Sequence, residues 1–216
     1  MFLGHFGLAL AAKKVAPKTS LGTAVLATEF ADMLWPLFLL LGIEHVTIVP
    51  GITKMTPLNF VAYPWSHSLL MDFFWAAGFA AVYFVARKYK AGTMVVFAGV
   101  LSHWILDWAS HRSDMPLTPW STEKFGLGLW NSVAGTVVVE LAMFVGGLII
   151  YLSQTKANDR AGQIALWSFV VFLAVIWTGA VFGPPPPSVS AIKYSGVGLW
   201  LLVPWAYWID RTRTAV

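Results

Sequence analysis

Residues 99–115, GVLSHWILDWASHRSDM, place His103, Asp107 and His111 four residues apart in an otherwise apolar setting. On an α-helix this spacing stacks the three side chains along one face, each step drifting by about 40°. Asp114 falls on the same face. Imidazole and carboxylate together can bind a metal, move a proton, or both. Such a ladder in an apolar helix is costly unless it meets a cation, a proton path or a buried partner.

The elements that must position these groups follow from composition. The 216 residues are 58% hydrophobic and 11% charged, with a mean hydropathy of +0.70, whereas a soluble domain carries roughly 25% charged residues. This predicts an all-α integral membrane protein in one domain over residues 1–216, a polytopic bundle with length for six or seven spans of roughly 20 residues. Cysteine is absent, which excludes disulfides, thiolate metal sites and cysteine nucleophiles. A transition metal would have to be held by histidine and carboxylate. The net charge of +4 reads as membrane topology rather than as a nucleic-acid surface.

Seven helical segments are expected. The first, 1–12, is short and ends at Lys13 and Lys14. A secretory signal carries its positive charges ahead of the apolar run, so this is not one; a dozen residues suit a short span or a re-entrant helix. The second, about 20–42, carries Glu29 and Asp32 on one face, with a kink expected at Pro36. Residues 44–64 read as a loop with turn signals at Pro50-Gly51 and Pro57, in which His45 beside Glu44 is expected to be solvated. The third segment, about 64–86, contains His67 and Asp72, and the fourth, about 92–110, is the His103 helix. A polar loop follows to about residue 126. The fifth segment, about 128–152, has Glu140 midway, the sixth runs over about 164–182, and four prolines separate it from the seventh, about 195–209.

If every segment crosses, ten of the 14 Lys and Arg residues fall on one side, which the positive-inside rule places in the cytoplasm. The chain is then a multi-pass inner-membrane protein, and all five histidines fall in its outward, periplasmic half. That side follows from Lys and Arg alone, so the clustering independently supports a single site. The tryptophans read mostly as interfacial anchors, Trp35, Trp65, Trp104, Trp108, Trp120 and Trp130 outward and Trp205 and Trp208 inward.

The expected metal ligands are His67, His103, Asp107 and Asp32, with His5 as a further one. Zinc is the first choice of divalent ion, and manganese or iron accept the same mixed ligands. Bound there, the ion would lower the pKa of a water near neutral pH. Asp107 is alternatively an outer partner that orients an imidazole. Ser66 and Ser68 flank His67 and are placed to bond a ligand or substrate. Glu140 is the general acid/base candidate. His111, Arg112 and Asp114 form either a substrate-binding rim or an ordinary polar helix end.

These residues carry a resemblance. His5 with Gly7, a helical Asp32, the sequence Ser66-His67-Ser68-Leu69, and Ser102-His103 with Asp107 resemble, in that order, the YdjM-like membrane-bound metal-dependent hydrolases of bacteria. The resemblance covers roughly the first half of the chain. Ala62 stands where that family has an earlier histidine, and Leu34 where it has a second acid, which favours one metal, or a decayed site, over two metals. The resemblance implies metal-assisted hydrolysis of an ester or phosphoester, with a membrane lipid or lipid-linked molecule as substrate. A transporter or proton relay using the same His/Asp cluster is the alternative, with Glu29, Asp72 and Glu140 scattered toward the bilayer centre. A non-catalytic scaffold is a third.

Overall fold

A computed structural model describes the chain from Met1 to Val216. Its helices are α1 (Leu3–Val15), α2 (Leu21–Thr28), α3 (Phe30–Leu40), α4 (Pro64–His67), α5 (Leu69–Arg87), α6 (Lys90–Ser110), α7 (Val133–Gln154), α8 (Arg160–Phe182), α9 (Val189–Val197) and α10 (Leu202–Arg211). Serine or aspartate starts several of them in the usual way. Ser20, Ser68, Ser132, Asp159 and Ser188 each accept a hydrogen bond from the backbone N–H three residues on.

Helical stretches occur in the seven expected regions, but they are not seven equivalent spans. Four helices, α5 to α8, are long and apolar enough to cross a membrane, and α2 with α3 makes a fifth if that bent pair is one span. Helix α1 has only 13 residues, about 20 Å of rise against a hydrocarbon core of roughly 30 Å. The last region is interrupted by a 3₁₀ turn at Gly198–Leu201 between α9 and α10.

Two local features differ from expectation. The second region bends by 57° at Glu29, where the backbone leaves helical geometry at φ −99° and ψ 7°. Pro36 lies inside α3; it withholds one N–H from the Asp32 carbonyl without ending the helix. The region read as a loop between α3 and α4 contains an antiparallel hairpin, β1 (His45–Ile48) with β2 (Leu58–Ala62), in which His45 pairs with Ala62 across a bulge and Ile48 with Leu58. Two smaller ladders, β3 (Met115–Pro116) with β4 (Lys124–Phe125) and β5 (Thr155–Ala157) with β6 (Arg213–Ala215), tie the α6–α7 loop to itself and the chain's end to the α7–α8 connection.

The contacts define two ends of the bundle. At the basic end, Lys13 Nζ donates to Asp210 Oδ1 at 2.8 Å and to the Thr19 carbonyl at 3.2 Å, and Thr19 Oγ1 lies 3.0 Å from Tyr83 Oη. The two hairpins and the proline run gather at the other end, where Met55 N–H donates to the Trp130 carbonyl and Leu70 N–H to the Leu117 carbonyl. Lys13 is nearly buried, and Asp210 Oδ1 also accepts from Leu21 N–H. Lys13→Ala strands that carboxylate and is expected to destabilise by about 2–3 kcal/mol. A thermal melt in detergent checks this, and an unchanged midpoint would show the pair to be idle.

Helix α1 lies in the main core. Leu3, Phe6 and Leu10 pack with Phe144, Leu148 and Tyr151 of α7, Leu166 and Phe169 of α8, and Ala206 and Ile209 of α10. The approach of α1 to α7 is close because both carry glycine at the crossing. A Cβ at Gly7 would stand 2.5 Å from the Met143 carbonyl oxygen, and one at Gly147 would overlap the Gly7 carbonyl oxygen. Small residues at such crossings let two backbones touch. This contact fixes the height and rotation of α1, and with them His5 two residues before Gly7.

Candidate metal centre

Four helices bring their polar residues to one place. His5 comes from α1, Asp32 from α3, His67 from the end of α4, and His103 and Asp107 from α6, with His111 as the residue that ends α6. Helix α4 is one turn long, begins at Pro64, and stops at Ser68, whose extended backbone (φ −85°, ψ 145°) starts α5 in a new direction. That break holds His67 at the bundle's hairpin end instead of one turn inside a continuous third helix.

Four imidazole Nε2 atoms converge on two carboxylates. His5 Nε2 lies 3.1 Å from Asp107 Oδ1. His103 Nε2 lies 3.3 Å from Asp107 Oδ2 and 3.8 Å from Asp32 Oδ1. His67 Nε2 lies 3.3 Å from Asp32 Oδ1 and 3.8 Å from Asp107 Oδ2, and His111 Nε2 lies 3.7 Å from Asp107 Oδ2. The Met1 amino nitrogen also contacts Asp107 Oδ1. The rings of His5 and His103 are stacked, with centroids 3.9 Å apart and planes within 6°.

At three of the four histidines the opposite ring nitrogen explains why Nε2 faces inward, while His5 Nδ1 has no partner. His103 Nδ1 donates to the Thr28 carbonyl at 2.7 Å. His111 Nδ1 donates to Asp114 Oδ1 at 2.9 Å, a carboxylate that also accepts from Tyr63 Oη at 3.1 Å and, through Oδ2, from Arg112 Nε at 3.1 Å. His67 Nδ1 lies 2.6 Å from Ser66 Oγ, and Ser66 Oγ donates to Glu44 Oε2 at 2.6 Å. A proton held on Nδ1 leaves the Nε2 lone pair free, the arrangement by which outer partners orient metal-ligating histidines.

A cavity of about 220 Å³ opens onto this cluster, with Asp32, His67, Asp107, His111 and Glu140 among its lining. Its walls are aromatic and apolar, including Trp35, Phe60, Trp130 and Trp177. Trp35 and Trp130, expected as interfacial anchors, therefore face the site. A second cleft, of about 480 Å³, lies between the hairpin tip and the Pro184–Pro187 run, and it shares Met55, Thr56, Leu58 and Ala180 with the first.

The remaining expected site residues are distributed as follows. Glu140 lines the cavity, and its Oε2 accepts from Leu3 N–H at 2.6 Å, which also caps α1. Ser66 joins His67 to Glu44, whereas Ser68 Oγ accepts from Met71 N–H at the start of α5. Arg112 bonds Asp114 and, at 2.6 Å, Asn59 Oδ1 of β2; neither Arg112 nor Asp114 is among the cavity-lining residues. Below the cluster, Glu29 and Asp72 are fully buried, and all four of their carboxylate oxygens lack a hydrogen-bond partner.

Two contributors lie outside the sequence reading. His45 is exposed as expected, but Glu44 is buried and accepts from the Trp65 and Ser66 N–H groups, each at 2.8 Å. Burial raises its carboxyl above the ordinary value, and the Ser66 hydroxyl acts against that shift. Tyr63, buried beside Asp114, has its phenol raised well above the usual value by burial and then by that carboxylate, so it stays protonated as a donor. Burial lowers His111, against the Asp114 hydrogen bond, which favours the neutral ring. No spacing pattern marks Glu44 or Tyr63, since their partners are brought to them by the fold.

The donor set suits a divalent ion. His5, His103 and Asp107 form one triplet, and Asp32, His67 and His103 another, each with its ligand atoms within 4.8 Å of one another. His103 Nε2, common to both, is buried without a hydrogen-bond partner. All the donors are nitrogen or oxygen, as zinc, manganese or iron accept. Among known proteins, the family described as YdjM inner membrane protein matches residues 2–183, a stretch that contains every residue of the cluster. No curated protein and no solved structure matches.

Proposed function

The chain belongs to the YdjM inner membrane protein family, and from that membership and the cluster geometry we propose that it is a metal-dependent hydrolase of an ester or phosphoester in a lipid-like substrate. The observation that carries this reading is the convergence of the Nε2 atoms on Asp32 and Asp107, with three of the four rings anchored through Nδ1. His67, His103, Asp107, Asp32 and His5 would hold the ion. When bound, a divalent cation supplies Lewis acidity that activates water and polarises the bond to be cut. The chain's own groups do the rest. Glu140, at the cavity wall, is the candidate to take and return a proton. Asp107 holds four imidazoles in register. The aromatic walls exclude bulk water and pack against the apolar part of the substrate.

In this reading the chain crosses the inner membrane several times, and its basic end faces the cytoplasm. The site then opens toward the periplasm. Buried Glu29 and Asp72, without partners, favour a second reading, a proton or cation relay through the same cluster.

Elemental analysis of the purified protein separates these. Stoichiometric zinc, manganese or iron is expected, and a chelator should remove both the metal and any turnover of phosphoester or lipid-ester probes. Metal restored at about 100 times its Kd should stabilise the fold by about 2.7 kcal/mol. A protein that is metal-free and indifferent to all three ions overturns the hydrolase reading. Proton or cation flux in liposomes without turnover would support the relay.

A further inference from the structure

We infer that Glu44, acting through Ser66, is a positioning residue that sets the ring tautomer of His67 and so presents its Nε2 lone pair to the metal centre. The inference rests on the metal-centre reading above, but its primary test does not require the metal.

Glu44 places a charge where none is expected. Glu44 follows α3 in a connecting segment, yet it is only 1% exposed. A carboxylate withdrawn from water has to be satisfied by donors. Glu44 has three, the N–H groups of Trp65 and Ser66 to Oε1 and the Ser66 hydroxyl to Oε2. An ionised carboxylate only accepts, so the direction of the Ser66 hydroxyl is determined. Its hydrogen points to Glu44, and its oxygen is left to accept.

The partner of that oxygen is His67 Nδ1, at 2.6 Å. Because the Ser66 hydrogen is committed to Glu44, the bond requires the proton to sit on Nδ1. In the neutral ring Nε2 is then the unprotonated nitrogen, 3.3 Å from Asp32 and 3.8 Å from Asp107. Two neighbouring histidines reach the same end by shorter routes, His103 through a backbone carbonyl and His111 directly through a carboxylate. For His67 the carboxylate acts at one remove. Reversing the polarity of the first link reverses the whole chain.

Glu44→Gln makes that reversal with almost no change of shape. The carboxamide oxygen still accepts from the Trp65 and Ser66 N–H groups, so the local fold is kept. Its NH₂ now donates to Ser66 Oγ. The serine hydrogen must turn toward His67 Nδ1, and the ring proton moves to Nε2, where it faces Asp32 and blocks the lone pair.

The experiment is nitrogen-15 NMR of histidine-labelled, metal-free protein in detergent, paired with zinc affinity measured against a chromophoric chelator. Wild type is expected to show His67 protonated on Nδ1, and Glu44→Gln on Nε2. Zinc should bind Glu44→Gln about 10–100-fold more weakly, the range for loss of an outer partner, while the thermal midpoint of the metal-free protein stays near wild type. Ser66→Ala should also weaken zinc binding, and Ser66→Thr, which keeps the hydroxyl, should restore it. An unchanged His67 tautomer in Glu44→Gln overturns the inference, as does equal zinc affinity in Ser66→Ala and wild type. If wild type itself binds no metal, the hydrolase proposal fails, while the tautomer comparison still decides the role of Glu44. Should Glu44→Gln fail to fold, the Ser66 pair carries the test.

Discussion

Alanine at position 103 is expected to leave the purified protein without bound metal and to lower hydrolytic turnover by more than about 100-fold, beyond what loss of an outer partner costs. His103 is the one residue common to both candidate ligand triplets. Its Nε2 approaches both carboxylates, its Nδ1 is anchored to α2 through Thr28, and its ring stacks on His5. Removing it therefore opens both triplets at once, whereas losing His5 or His67 spares one. The fold should survive, because the lost Thr28 bond is worth about 1 kcal/mol and α6 is held along its length by α5 and α2. Elemental analysis with a thermal melt checks the pair of expectations. Wild-type metal content in His103→Ala would show that the ion, if any, lies elsewhere.

The second large effect is expected far from any ligand. Gly147→Val should lower the thermal midpoint by roughly 5–10 °C, the equivalent of about 3 kcal/mol for a chain of this size, and should weaken metal binding in the protein that still folds. A side chain there meets the backbone of α1 at Gly7, which no rotamer change can relieve. Helix α1 must shift, and His5 shifts with it. Gly146→Val is the matched control, since a Cβ at Gly146 meets nothing within 4 Å. If both substitutions behave alike, the effect belongs to glycine's backbone freedom or to lipid packing, not to the α1–α7 crossing.

The sequence makes part of this architecture legible and leaves part of it hidden. Helices α5 to α8 can be read because their long apolar runs are bounded by charges and turns, and bilayer thickness dictates their length. The cluster can be read because His103 and Asp107 repeat at helical spacing inside such a run, and Asp32 and His67 are ionisable groups in other helical segments. Three features are hidden. The hairpin strands His45–Ile48 and Leu58–Ala62 are four and five residues long, too short for alternation to stand out, although Pro50-Gly51 marks their turn. The bend at Glu29 is masked by Pro36, the stronger local breaker, because a proline deletes one hydrogen bond while tertiary packing decides whether the helix yields there. The burial of Glu44 depends on α4 folding back over a residue some 20 positions earlier. Tryptophan misleads for a related reason: the same ring suits an interface or a cavity wall, and only packing tells Trp35 from the exposed Trp120.

The approach to the cluster has two stiff sides. One is the hairpin turn, braced by Thr53 Oγ1, which donates to the Thr56 carbonyl at 2.8 Å and accepts from Thr56 N–H at 2.9 Å. The other is four consecutive prolines, each with its φ fixed by a ring. On the hydrolase reading, an aperture with two unyielding jambs would work as a sieve rather than a door. It would sort candidates by girth before any chemistry begins, without the closing motion that limits turnover in lidded enzymes. Bulky homologues of a good substrate should then be refused at entry, with a penalty in kcat/KM, while those slim enough to pass share a common kcat.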